Sequence, residues 1–128
     1  MEIWQRSVSL VEEIYNITQK FPKEETYGLT GQVRRAAVSI PSNIAEGFAR
    51  FYNNEYKQFL FISLGSCAEL STQLIIAERL GYLENTKGVI LLDEIEQISK
   101  MTMSLIKKLS SSNKRLSTND YLLTAPIV

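Results

Sequence analysis

The chain has 128 residues, 45% of them hydrophobic, enough for one domain with a substantial core and too few for two comfortable ones. Its 14 basic residues balance its 14 acidic ones, so no global field draws it onto nucleic acid or an anionic membrane, and any such binding must come from a local patch. The absence of histidine and the single cysteine, Cys67, exclude imidazole triads, the Glu-x-x-His di-iron motif, an intrachain disulfide and an ordinary zinc site.

The first helical segment, about residues 2–20, spaces Ile3, Ser7, Leu10, Ile14, Ile17 and Phe21 along one face, with Trp4, Val8, Val11 and Tyr15 on an adjoining stripe. "FPKEETYG" interrupts it, and Thr26 is the expected N-cap of the next helix. That second segment, about Tyr27 to Phe51, aligns Leu29, Val33, Ala37, Ile40, Ile44, Gly47 and Phe51. Pro41 lies inside it and predicts a kink, because its ring crowds the carbonyl four residues back and it has no N–H to donate. "YNNE" is the next stop, with Asn53 or Asn54 expected to cap a third helix that runs from about Glu55 to Leu80 and closes on Gly81. The fourth, about Thr86 to Leu109, carries Leu91, Ile95, Ile98, Thr102, Leu105 and Leu109, with acids early and Lys107 and Lys108 late, as the helix dipole favours.

Residues 1–109 therefore predict an all-α, antiparallel up-and-down four-helix bundle, since short connections make consecutive long helices antiparallel neighbours. Residues 110–128 read as a polar, flexible linker and a short apolar tail. The longest apolar run, Phe59 to Ile62, is far short of a membrane span, and the N-terminus has no signal-peptide pattern, so a cytoplasmic setting is expected. No glycine pattern of a nucleotide cradle is present, and no cofactor, metal or small-molecule substrate is expected.

The third helix is apolar on two sides. Tyr56, Phe59, Ser63, Cys67, Leu70, Leu74 and Ala77 form its core stripe, and Phe61, Leu64, Ala68 and Ile75 lie nearly opposite. A bundle covers one of these faces, and leaving large residues of the other in water forgoes roughly 1.5–3 kcal/mol each. The second face is therefore the expected homo-oligomer interface. Cys67 reads as a small core hydrophobe, with no basic neighbour at helical spacing to activate it.

The second helix also carries a polar ribbon, Gln32, Arg35, Ser39, Asn43, Glu46 and Arg50, with Glu46 and Arg50 spaced as an i,i+4 pair. Arg35, Ser39, Asn43 and Glu46, joined by Glu69 of the third helix, are expected to form an interhelical hydrogen-bonded network. Hydrolytic chemistry is disfavoured, because Glu46 is flanked by arginines and Glu69 is the only obvious second carboxylate. On the helical wheel Arg35 falls within the ribbon while Arg34 sits on the other flank with no carboxylate to neutralise it, so Arg34, Arg50 and the tail pair Lys114 and Arg115 are the expected nucleic-acid contacts.

"FPKEETYGLTGQVRRAAVSIPSNIAEGFAR", "EYKQFLFISLGSCAEL" and "LGYLE" occur in that order, and over about residues 3–109 the chain resembles the four-helix-bundle proteins called 23S rRNA-intervening sequence proteins. The resemblance implies a compact antiparallel bundle, a homopentameric ring and no enzyme activity, and it carries Arg34, Arg35, Pro41, Asn43, Glu46, Gly47, Arg50, Gly65, Ser66, Glu69 and Leu70 over as motif positions. Tyr52 departs from the serine that the family often places before the third helix. The expected function is a non-enzymatic, ring-forming bundle that binds structured RNA or another nucleic acid, the alternative being a protein-interaction or structural scaffold with no nucleic-acid role.

Overall fold

The computed structural model describes residues 1–109, and the expectations for the tail, Lys114 and Arg115 included, lie outside them. Four helices follow one another: α1 (Glu2–Thr18), α2 (Leu29–Phe48), α3 (Asn53–Arg79) and α4 (Asn85–Leu109), with a short 3-10 turn at Lys23–Glu25 between the first two. Each helix packs on its two neighbours in the cyclic order α1, α2, α3, α4. Their directions follow from contacts at successive levels. Gly47 stands beside Tyr56 and Phe59, while Ser39, two turns earlier on α2, meets Ser66, farther along α3. Likewise Arg6 of α1 bonds Glu94 of α4, while Met1 and Ile3 lie beside Ser104 and Leu105. Both pairs are antiparallel, as expected of helices joined by short connections.

The core is what the apolar spacing dictates. Ile3, Ser7, Leu10, Ile14 and Ile17 of α1 are all buried, and Val33, Ala37, Ile40 and Ile44 of α2 meet Leu60, Leu70 and Leu74 of α3 with almost no exposed surface. Pro41 is buried within α2, whose helix runs on through it. On α4, Leu91, Ile95, Ile98 and Thr102 are buried as expected, and Ile106 rather than Leu105 completes the stripe. Two bonds from the first half of α4, Arg6 Nη2 to Glu94 Oε1 at 2.6 Å and Arg6 Nε to Glu94 Oε2 at 3.0 Å, form a bidentate strut between α1 and α4.

Three helix boundaries differ from the sequence expectation. Thr26 does not cap α2; its hydroxyl donates to the Lys23 carbonyl at 2.7 Å, and the Glu25 carboxylate instead accepts the Leu29 N–H at 3.1 Å. The 3-10 turn causes this, because it folds residue 25 back over the helix start and Gly28 at the N-cap has no side chain of its own. Next, α2 stops at Phe48, so Phe51 leaves the core stripe and stands 83% exposed. Finally, α3 begins at Asn53 with Tyr52 at the N-cap, so neither asparagine occupies the cap position. The C-terminus of α3 is as expected: Gly81 takes φ +81°, Tyr82 N–H bonds the Ala77 carbonyl at 2.9 Å and Gly81 N–H bonds the Glu78 carbonyl at 3.0 Å, the paired bonds of a Schellman motif.

Candidate functional site

The α2–α3 seam is where the small and polar residues of "SIPSNIAEG" find their purpose. Ser39 and Ser66 share a 2.7 Å hydrogen bond across the seam, and Asn43 Nδ2 donates to both the Ser39 carbonyl and its hydroxyl, at 2.8 and 2.9 Å. One turn away, the fully buried Ser63 hydroxyl donates to the Ile40 carbonyl at 2.9 Å. Each bond is worth about 0.5–1.5 kcal/mol net, and together they fix the register in which two apolar helices meet. Gly47 allows the closest approach, with a Cβ built there standing 2.8 Å from the Phe59 Cβ and 2.9 Å from the Tyr56 ring.

Three members of the expected network, Arg35, Glu46 and Glu69, are not in it. Arg35 is exposed and has no hydrogen bond or ion pair among the described residues, and Glu69 likewise stands exposed with none. Glu46 pairs instead with Arg50 at 3.0 Å on the surface, and the Arg50 guanidinium lies 4.8 Å above the Phe59 ring. Ser63 and Ser66 take the places that Arg35 and Glu69 were expected to fill. Their signal was available in two small hydroxyls one turn apart, on the α3 flank that faces Ser39.

The roles of the two neighbouring arginines are exchanged. Arg34 Nε donates to Thr18 Oγ1 at 2.9 Å and its guanidinium sits 4.5 Å from the Tyr15 ring centroid, which ties α2 to α1. Its flank of α2, shared with the buried Thr30, Pro41 and Phe48, reaches α1 through Thr18 and Tyr15, whereas Arg35 opens to solvent. A helical wheel separates these flanks but does not say which one meets a neighbour. Arg35 is thus the free charge and Arg34 the structural one.

The outward face of α3 is apolar and uncovered. Phe61 and Ile75 are 53% and 42% exposed, Ala68 is exposed, and Leu64 differs from them in packing partly against the core. A second row, Ile62, Ile76 and Leu80, escaped the sequence reading and lies on the same outward side. Gly65 sits at the centre of the face with open space where its Cβ would be. Toward α4 the face slopes into a groove lined by Leu64, Cys67, Ala68, Leu92, Glu96 and Ser99. Burial pushes the Cys67 thiol up from its ordinary pKa, so it stays protonated and serves as a core residue. By length and composition α3 is apolar enough to cross a membrane; here its other face is packed within the bundle.

At the end of the bundle that holds the α1–α2 and α3–α4 connections, the Tyr82 hydroxyl donates to Glu25 Oε2 at 3.0 Å, and its ring packs on Phe21 with centroids 5.6 Å apart. The hydrogen bond to Glu25 raises the Tyr82 pKa above its ordinary value. Among the described residues no group of three His, Cys, Asp or Glu side chains is placed to hold a metal ion.

A crystal structure of a protein of unknown function from the S23 ribosomal protein family of Bacteroides thetaiotaomicron superposes with a TM-score of 0.76 at 22% identity, over 82% of this chain and 98% of that one. At that identity the likeness shows the fold. No curated protein matches the chain. The family model for 23S rRNA-intervening sequence proteins matches residues 1–104, the whole of the bundle but the last turn of α4, with the Ser39–Ser66 seam and the close approach at Gly47 inside it. The chain belongs to the 23S rRNA-intervening sequence protein family.

Proposed function

We propose that the protein is a non-enzymatic, cytoplasmic scaffold that assembles through the outward face of α3 into a ring, a pentamer as the family resemblance implies, and that the ring binds RNA. The observation that carries the reading is the apolar surface of Phe61, Ile62, Ile75 and Ile76, which the bundle leaves in water although it has buried every other long apolar stripe of α3. Large apolar residues exposed along one side of a helix mark contacts, and a ring repeats any local charge around its axis. The family description, which names an intervening sequence of 23S rRNA, supports RNA as the ligand. Arg35, exposed and outside any ion pair among the described residues, is available to phosphates, Arg50 would have to leave Glu46, and Arg34 is committed to α1.

The test is light scattering with RNA retention. Wild-type protein at micromolar concentration should show a mass near five times the 14.6 kDa subunit. Phe61→Glu with Ile75→Glu should reduce it to one subunit with helical content preserved; Leu64 is avoided because it packs on the core. A monomeric wild type overturns the ring. The second reading, a scaffold for protein partners alone, is favoured by the balanced charge of the chain. An assembled ring that retains no RNA at low ionic strength selects it.

A further inference from the structure

A closed ring matches two different surfaces of each subunit, one to each neighbour, rather than one patch to its own copy. On the ring reading above, the outward face of α3 is one of them, and its mate lies elsewhere on the bundle. Outside α3 and the connections, large apolar side chains stand exposed on two sides of the described bundle: on α4 at Val89, Ile90 and Met103, and at the seam of α1 with α2, where Tyr15 and Val38 are 39% and 40% exposed.

The α1–α2 seam forms a strip. Thr18 and Tyr15, late in α1, hold Arg34, early in α2, so the two helices run antiparallel away from that point. One row steps back along α1 from Tyr15 through the half-buried Val11, Val8 and Trp4, and its neighbour steps forward along α2 from Arg34 through Val38 to Ala45. Arg34 is the one charge in either row. Among the described residues α1 packs on α2 and α4 and not on α3, so a subunit can offer this strip and the outward face of α3 at the same time.

Each of the two surfaces holds an unmatched charge, and the signs are opposite. Glu69 stands exposed midway between Ile62 and Ile76, seven residues from each, with no ion pair among the described residues. Arg34 is in no ion pair there either; its Nε donates to Thr18 and its guanidinium lies against the Tyr15 ring, which holds the group in place while its two terminal nitrogens keep donors for a carboxylate. The apolar row of α4 lacks this complementarity. Val89 and Met103 have Glu96 midway between them and Asp93 one turn from Val89, so that row would set acid against Glu69.

We infer that the α1–α2 strip is the receiving half of the ring contact: the outward face of α3 from the neighbouring copy packs on Tyr15, Val38 and Ala45, and its Glu69 meets Arg34. The inference rests on the ring reading and adds to it the second surface and the charge pair that sets the register. Seven residues of helix span about 10 Å, so with Glu69 at Arg34 an isoleucine of the same row falls between Val38 and Ala45, level with Val8.

The test mixes variants of the full chain and reads mass by light scattering. Val38→Glu should reduce the ring to single subunits with helical content preserved, as Phe61→Glu with Ile75→Glu should. The first variant keeps its α3 face and the second keeps its strip, so a mixture should form a complex of two subunits, one of each, and nothing larger. Adding Glu69→Arg to the Val38→Glu chain should weaken that complex at least about tenfold, because an arginine then faces Arg34. Val38→Ser brings in no charge; it should weaken assembly about tenfold in a dilution series and carries the test if Val38→Glu does not fold. A ring unchanged by the Val38 substitutions, or dissociated variants that stay apart when mixed, overturns the inference and leaves the ring reading standing. A mixed complex indifferent to Glu69→Arg overturns the pairing of Glu69 with Arg34. A monomeric wild type overturns the ring and the strip together.

Discussion

Gly47 of α2 faces Phe59 of α3 so closely that a Cβ on the glycine would stand 2.8 Å from the Cβ of the phenylalanine, with the Tyr56 carbonyl at 3.1 Å. Neither obstacle is the loose end of a long side chain. Gly47→Ala should therefore force the two helices apart, and the overpacking cost of about 1–3 kcal/mol exceeds the helix-propensity gain of up to about 1 kcal/mol. A lowered midpoint in urea or thermal unfolding checks it; an unchanged midpoint would mean that the seam yields at no cost.

Gly65 gives the opposite expectation for the subunit alone. Nothing lies within 4 Å of its built Cβ, so Gly65→Ala should stabilise a dilute, dissociated subunit by about 1 kcal/mol through helix propensity. At higher concentration the same methyl group should weaken the assembly, because a small residue at the centre of an apolar face lets a second helix come close. Light scattering over a dilution series separates the two effects. An assembly as tight as that of wild type would place Gly65 outside the contact.

Arg34→Ala should cost about 1–3 kcal/mol, the sum of a charge-assisted hydrogen bond to Thr18 and a cation–π contact with Tyr15. Arg35→Ala should change stability by less than about 0.5 kcal/mol, as for an exposed side chain without a partner. In the RNA assay the order reverses, with Arg35→Ala the variant that makes the salt dependence shallower. Equal loss of stability from both substitutions would contradict the assignment.

Tyr82 should make stability fall in alkali. Its folded-state pKa is raised by the hydrogen bond to Glu25, so the protonated hydroxyl is the form that the fold favours. The contribution is complete below the unfolded tyrosine value of about 10 and is lost as the pH climbs through the higher folded value. Unfolding curves of wild type and Tyr82→Phe should differ at neutral pH and draw together above about pH 10. A constant difference would show that the hydroxyl is not what couples stability to pH.

Much of the seam was legible as chemistry before it was legible as geometry. The spacing of Ser39, Asn43 and Glu46 marks a polar ribbon on α2, and the ribbon is there. Its partners were misread because a one-helix wheel weighs charge most heavily, and so pointed to Arg35 and Glu69. The bonds are made by Ser63 and Ser66, short hydroxyls that fit between backbones in close contact where a guanidinium does not. Phe51 was misread for a related reason: periodicity continues past the residue at which a helix stops, and nothing in the pattern marks Phe48 as the end.

Amino-acid order by itself determined the four helices, their apolar stripes and the surplus apolar face of α3, because 3.6-residue spacing and the Schellman glycine at position 81 are local properties of the chain. Only the tertiary structure decided which flank of each helix meets a neighbour. Arg34 and Arg35 are adjacent and chemically identical, and one became a strut and the other a free charge because α1 packs against one side of α2 and solvent lies on the other. That choice depends on contacts between residues distant in sequence, such as Thr18 with Arg34 and Ser39 with Ser66, which come into being when the helices pack together.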